Sequence, residues 1–254
     1  MNRRRRSAAI FTALAVATLT SACAHFSPDG GMLLVEEQAG GTLSKEVVKI
    51  RSEEDAAVAE ARVHTLLAEP LSAEAAVQIA ILNNRGLQAA YNELGISEAQ
   101  MVEASLPPSP AFTFSKLVTT GQFEIERQIV QNVLGLLTLP RRREIAEDRF
   151  HQAQVRAVEA TLHTAAVARR AYYRAVAANQ TVSFLAKARL SAESVSELSK
   201  KLGETGALPK LDQAREHAFY AEISAQLAVA RLRQRAERQK LNRALGLWGE
   251  QTNY

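Results

Sequence analysis

The sequence predicts a mainly α protein built on a long antiparallel helical hairpin, with one β-hairpin placed before it. Three observations predict this. Arg141 to Leu202 contains neither proline nor glycine, and residues 111–131 alternate with a period of two behind three closely spaced prolines. Alanine is abundant, while aromatic residues make up 6% and glycine numbers 12, a composition that suits long helices better than a rounded mixed domain.

The chain begins with a cationic stretch, Arg3 to Arg6, followed by an apolar run from Ser7 to Leu19. That run is too short to span a bilayer, which needs ~20 apolar residues, and it suits a cleavable export signal. Small residues before Cys23 (Thr20-Ser21-Ala22) resemble a lipobox, so residues 1–22 are expected to be a lipoprotein signal peptide and Cys23 the lipidated first residue. An ordinary signal peptide with an incidental cysteine is the alternative. The formal net charge is +4, which the four arginines of the signal account for, so the remainder is near neutral and a nucleic-acid partner is not indicated. A single cysteine excludes an internal disulfide and a cysteine-based zinc cage.

Residues 23–70 read as an N-terminal lead and a short helix. His25 to Lys45 is rich in glycine and small residues and is expected to be extended. Arg51 to Ala68 is a charged, alanine-rich helix stopped by Pro70. Ser72 is a suitable N-cap for the next helix, which is expected to run to about Ser105 with a weak point at Gly86. Pro107, Pro108 and Pro110 end it.

Residues 111–120 and 122–131 are the expected strands, joined at Gly121-Gln122. Phe112, Phe114, Phe123, Ile125 and Ile129 alternate with polar residues. Each run is ~10 residues, the length of a tilted transmembrane strand. A hairpin in a soluble domain is the alternative, although an isolated two-stranded hairpin is marginally stable in water.

Long helices are expected over 141–202 and 210–245, broken from Gly203 to Pro209. The first carries heptad-like steps through Val155, Val158, Leu162 and Ala165, and through Phe184, Ala188, Ser191, Val195, Leu198 and Leu202. The second carries a regular stripe, Leu211, Ala214, Ala218, Ala221, Ala225, Ala228 and Leu232, and a separate line through Phe219, Ile223, Leu227 and Ala230. Two lines on different faces imply neighbours on both sides. A helix pair this thin is expected to lack a self-contained core and to oligomerise, although a single coiled-coil hairpin would also satisfy one seam.

Catalytic chemistry is not indicated. There is no phosphate-binding glycine loop, nucleophile elbow or metal-ligand spacing. The five histidines (His25, His64, His151, His163 and His217) pair with no other histidine or cysteine. No catalytic residue, metal site or cofactor is expected. The Arg141-Arg142-Arg143 run is read as a solvated helix start.

Residues 71–247 resemble the TolC-like outer-membrane efflux family. LSAEAAVQIAILNNRGLQAAYNELGISEAQMVEASLPPSP resembles the family's first helix and its proline-rich approach to the barrel. FEIERQIVQNVLGLLTLPRRREIAEDRF resembles the return strand feeding the long helix. TGALPKLD and the later LNRALGLWG resemble the turn at the periplasmic tip and the closing helix of a repeat. The resemblance implies that the helical hairpin is an element of an α-barrel, and that the β-hairpin contributes to an oligomeric transmembrane β-barrel.

It further implies a homo-oligomeric passive duct in the outer membrane, anchored in lipid and extending into the periplasm. A periplasmic adaptor protein and an inner-membrane pump would be its partners. Gly206, Ala207, Leu208 and Asp212 fall where the family's tip meets the adaptor, and Pro209 departs slightly from that pattern. Ala24, in place of an aspartate after the cysteine, implies sorting to the outer membrane. The family carries two repeats and assembles as trimers. One repeat is present here, with residues 248–254 as a tail, so six copies would be needed for a twelve-stranded barrel. A truncated half of a channel, a coiled-coil lipoprotein without a pore and a periplasmic adaptor are the competing readings. The adaptor would require flanking β-rich halves that the sequence does not show.

Overall fold

The computed structural model describes residues 26–119 and 122–254. The signal peptide, Cys23, His25 and the expected Gly121 turn position lie outside the described residues. Two compact units form. The first comprises described residues 26–35 and 90–157, the second residues 36–89 and 158–254. The principal elements are α1 (Glu53–Leu67), α2 (Ala73–Asn83), α3 (Arg85–Ser105), β1 (Ala111–Thr119), β2 (Gln122–Val130), α4 (Val133–Leu137), α5 (Leu139–Glu204) and α6 (Lys210–Leu245). The fold is mainly α, as the sequence predicts. Helix α5 starts before and ends after its expected bounds, so Gly203 is helical.

In the first unit, the expected extended lead is replaced by a folded segment. Ser27 donates from its backbone N–H (2.5 Å) and its hydroxyl to the carboxylate of Glu98 on α3, which is 3% exposed. Gln154 of α5 donates to the carbonyl of Gly31 at 3.2 Å. Met32, Val35, Tyr91 and Leu94 are buried, so apolar burial and a satisfied carboxylate together dock the segment. Arg142 also does more than start a solvated helix. Its guanidinium donates to the carbonyls of Ala104 and Leu106 (3.1 and 3.4 Å), satisfying orphan acceptors at the end of α3. Arg141 and Arg143 pair within their own helix with Glu144 and Glu147. Asn132 caps the unforeseen helix α4 by accepting from the Gly135 N–H at 2.8 Å.

The second unit does contain a core, contrary to the expectation for a thin hairpin. Helix α2 is buried continuously from Ala76 to Leu82, which marks a central helix rather than an amphipathic surface one. Ile79, Leu82, Ala168, Ala171, Leu241 and Leu245 form its cluster with Val63 of α1. Ser52 and Asp55 close a reciprocal capping box on α1, and Ser72 caps α2 through the Ala75 N–H. The backbone before α1 is clasped by two glutamines. Gln78 bonds both the N–H and the carbonyl of Glu46, while Gln88 accepts from Ile50 N–H and donates to the Val48 carbonyl.

The helix expected to continue to Ser105 is interrupted at Asn84, not at Gly86. Asn84 has extended backbone, and its side-chain oxygen accepts from the N–H groups of Gly86 and Leu87. Its side-chain nitrogen donates to Ala244 O at 3.2 Å, and Asn83 donates to Gly246 O at 2.9 Å. The break therefore starts α3 and caps the carboxyl end of α6 at once.

Candidate functional site: the strand pair, the helix faces and the tip turn

β1 and β2 are antiparallel, with Phe112 opposite Ile129, Phe114 opposite Arg127, Lys116 opposite Ile125 and Val118 opposite Phe123. Cross-strand partners share a face and successive residues alternate faces. Phe112, Phe114, Phe123, Ile125 and Ile129 therefore fall on one face. Of Phe123 only the register position is described. The other four are 72%, 66%, 43% and 70% exposed, and Arg127 and Lys116 interleave with them. The opposite face carries Thr113, Ser115, Glu126 and Gln128. Among the described residues these strands pair with each other and with no third strand. A nine-residue strand spans ~30 Å along its axis, or ~21–25 Å across a membrane at the ~35–45° tilt of outer-membrane barrels, close to the height of their ~25 Å apolar band.

In the second unit α5 and α6 meet along a seam with alternating steps of four and three. Ala178, Ala192, Ser196 and Ser199 are buried on α5, and Leu227, Ala230, Glu237 and Leu241 on α6. Polar contacts lock this seam. Gln234 donates to Asn179 at 2.6 Å, His217 Nδ1 lies 2.8 Å from Ser196 Oγ, and Tyr220 joins Arg189 and Glu193. Residue spacing gives no hint of the Ser196–His217 pair, since the partners are twenty-one residues apart on different helices.

The expected apolar lines divide between packed and uncovered faces, with Val158 and Ala165 of the first α5 patch buried. All seven residues of the α6 stripe from Leu211 to Leu232 are exposed, as are Phe184, Val195, Leu198 and Leu202 on α5. Ile223, Leu227 and Ala230, from the other α6 line, belong to the mutual seam, whereas Phe219 is exposed. Each long helix thus has one filled face and one uncovered apolar face.

At the turn, Gly206 adopts φ of +77°, a conformation that costs an L-residue side chain ~1–2 kcal/mol. Ala207 N–H donates to Leu202 O at 2.8 Å, and Gly206 N–H to Gly203 O at 3.1 Å, closing the end of α5 as a Schellman turn. Gly206 and Ala207 are exposed, and Leu208 is half-buried. Asp212 lies in the first turn of α6, where its charge suits the helix dipole, and it pairs with Arg215 at 3.2 Å. Pro209 is the N-cap. Among the described residues, no cluster of side chains could hold a metal ion.

No family model matches the chain, and no curated protein matches it in sequence. Among solved structures the chain is similar to the CmeC outer membrane channel of Campylobacter jejuni. The TM-score is 0.58 at 16% identity, covering 76% of this chain and 43% of that one. The chain has the fold of a TolC-like half. The chain spans less than half the length of the channel it resembles, and that protein is a channel, not an enzyme. No helix among the described residues is long and apolar enough to cross a membrane, a criterion that does not bear on β-strands.

Proposed function

We propose that the chain is a wall element of an oligomeric efflux duct that crosses the outer membrane and extends into the periplasm. The observation that carries this reading is the set of uncovered apolar faces on a TolC-like fold. The strand pair gathers its phenylalanines and isoleucines on one exposed face, and each long helix exposes an apolar stripe away from their shared seam. Such surfaces are stabilised by lipid on the strands and by further helices beside α5 and α6. Copies of the same chain supply those helices, the α6 alanine stripe of one packing against the α5 stripe of the next. Cys23 carries the lipid anchor. Gly206, Ala207, Leu208 and Asp212 meet a periplasmic adaptor, through which an inner-membrane pump supplies the energy for transport.

The test is to express the full chain with its signal and to label cysteines introduced by Phe114→Cys and, as a periplasmic control away from the alanine stripe, Arg231→Cys. The proposal expects co-fractionation with outer membranes, fatty-acid incorporation that Cys23→Ser abolishes, and a detergent-stable oligomer. It also expects position 114 to resist a water-soluble maleimide in intact membranes and to react after solubilisation. Free reaction at position 114 in membranes would instead support a coiled-coil lipoprotein without a pore. A soluble, unlabelled monomer would reject both.

A further inference from the structure

The helix pair carries a one-sided arrangement of charge around Glu237. This carboxylate lies in the α5/α6 seam and is 8% exposed. Lys240 Nζ bonds its Oε1 at 2.7 Å, yet the lysine side chain is 52% exposed. The Lys240 hydrogen bond and the charges of Lys240, Arg174 and Arg233 hold the Glu237 carboxyl below its ordinary range. Arg174 and Arg233 are themselves exposed. The negative partner is sunk between the helices, and the three positive ones face outward.

The direction they face follows from helix geometry. At 3.6 residues per turn, each residue advances ~100° around its helix. The uncovered α5 stripe through Phe184, Val195, Leu198 and Leu202 lies ~110° from the seam with α6, whereas the α6 alanine stripe lies ~180° from the same seam. Helix pairs joined through these faces therefore curl, because the angle on one side is well below a straight line. The inner side is the short arc of α5. Arg174 lies on that arc. On α6, the residues ~90° from the seam toward the same side include Arg233 and Lys240. Arg231 and Arg235 fall on the outer side. The nearest carboxylate on the inner face of α6 is Glu222, ~16 Å farther along the helix, and it already accepts from Gln226 at 3.0 Å.

We infer that Arg174, Arg233 and Lys240 of successive copies form a cationic ring on the inner wall of the duct, which selects anionic cargo. This rests on the duct reading above and adds a substrate class to it: organic anions such as carboxylates and sulfonates. Rings of Arg and Lys favour anions in pores, and confinement between low-dielectric walls focuses their field. Because Glu237 is buried between the helices, it trims the ring's charge without offering the cargo a competing anion.

The test measures reversal potentials of the full chain in planar bilayers under a potassium chloride gradient. The wild type is expected to pass chloride in preference to potassium. Arg174→Gln/Arg233→Gln/Lys240→Gln together should abolish or invert that preference, while Arg231→Gln/Arg235→Gln on the outer side leaves it intact. All five positions are exposed, and far-UV circular dichroism checks that each variant keeps its helix content. A conducting wild type without anion preference, or a triple variant that retains it, overturns the inference and leaves the duct standing. An absence of any conductance from the lipidated, oligomeric chain overturns the duct reading and this inference with it.

Discussion

At the scale of single residues, the end of α6 shows how tightly one position is specified. Gly246 has φ of +73°, and a Cβ there would meet Asn83 O at 2.5 Å. Gly246→Ala therefore combines backbone strain with a clash against backbone that has no room to yield. It should lower stability by about 1–3 kcal/mol, read as a fall in the thermal midpoint by circular dichroism. Glu74 gives a prediction of a different kind. Lys45 (3.0 Å) and Arg169 (2.9 Å) bracket its carboxylate and, chiefly through the Lys45 hydrogen bond, hold it below the ordinary glutamate value of 4.5. A carboxylate depressed in the folded state stabilises above its unfolded value, and that contribution is lost as pH falls through the folded one. The wild type should therefore lose stability on acidification below the ordinary glutamate range more steeply than Glu74→Gln, in paired denaturation series. The effect should be small, because Glu74 is exposed and its pairs are screened. Equal slopes would show that the bridge is silent in solution.

At the scale of elements, the turn between α5 and α6 couples two residues that look independent in the sequence. A Cβ at Gly203 would lie 1.9 Å from Gln213 Nε2, and that nitrogen donates to Leu208 O at 3.0 Å. Gly203→Ala should gain ~1 kcal/mol in helix propensity and lose a similar amount by displacing Gln213 from its hydrogen bond. Its net effect should be near zero, whereas in a Gln213→Ala background the same substitution should stabilise by ~1 kcal/mol. A double-mutant cycle measures this coupling, and additive effects would count against the contact. The example also shows why much of the site was illegible in the sequence. Apolar spacing revealed the long helices and their heptads, including Leu227 and Ala230 of the seam, yet its most regular stripe, from Leu211 to Leu232, is an outward one. The inner seam relies on Ser196, Ser199, Gln234 and Glu237, small or polar residues that hydrophobic periodicity passes over. The break at Asn84 was hidden for a related reason. Propensity singled out Gly86, while the decisive bonds join asparagines to carbonyls 160 and 163 residues away.

At the scale of the whole molecule, the strand alternation and the uncovered stripes were legible because both concern exposed faces, where simple periodicity is enough. The folded segment from Ser27 to Val35 was not, since its docking depends on Glu98 and Gln154, far away in sequence. The outward stripes make the final prediction. Ala221 and Ala225 are exposed in the single chain, and substitution at exposed helical sites usually changes stability by less than ~0.5 kcal/mol. The same two sites in the proposed lateral contact would be closed in by a neighbouring helix at about 8–10 Å between axes. Glutamates there would be desolvated without partners, at a cost of several kcal/mol per site. Ala221→Glu/Ala225→Glu should therefore leave helix content and thermal midpoint of the isolated chain nearly unchanged while eliminating the oligomer, as read by cross-linking and sedimentation in detergent. Placing the same glutamates at Arg231 and Arg235 tests the charge alone, because those exposed sites lie on the outer side rather than on the alanine face, and they should leave assembly largely intact. Persistence of the oligomer in the Ala221/Ala225 variant would mean that copies meet through some other surface. An alanine stripe without bulk can bring helices together only if nothing larger or charged intervenes, so this pair of substitutions separates a packing face from one that is merely uncovered.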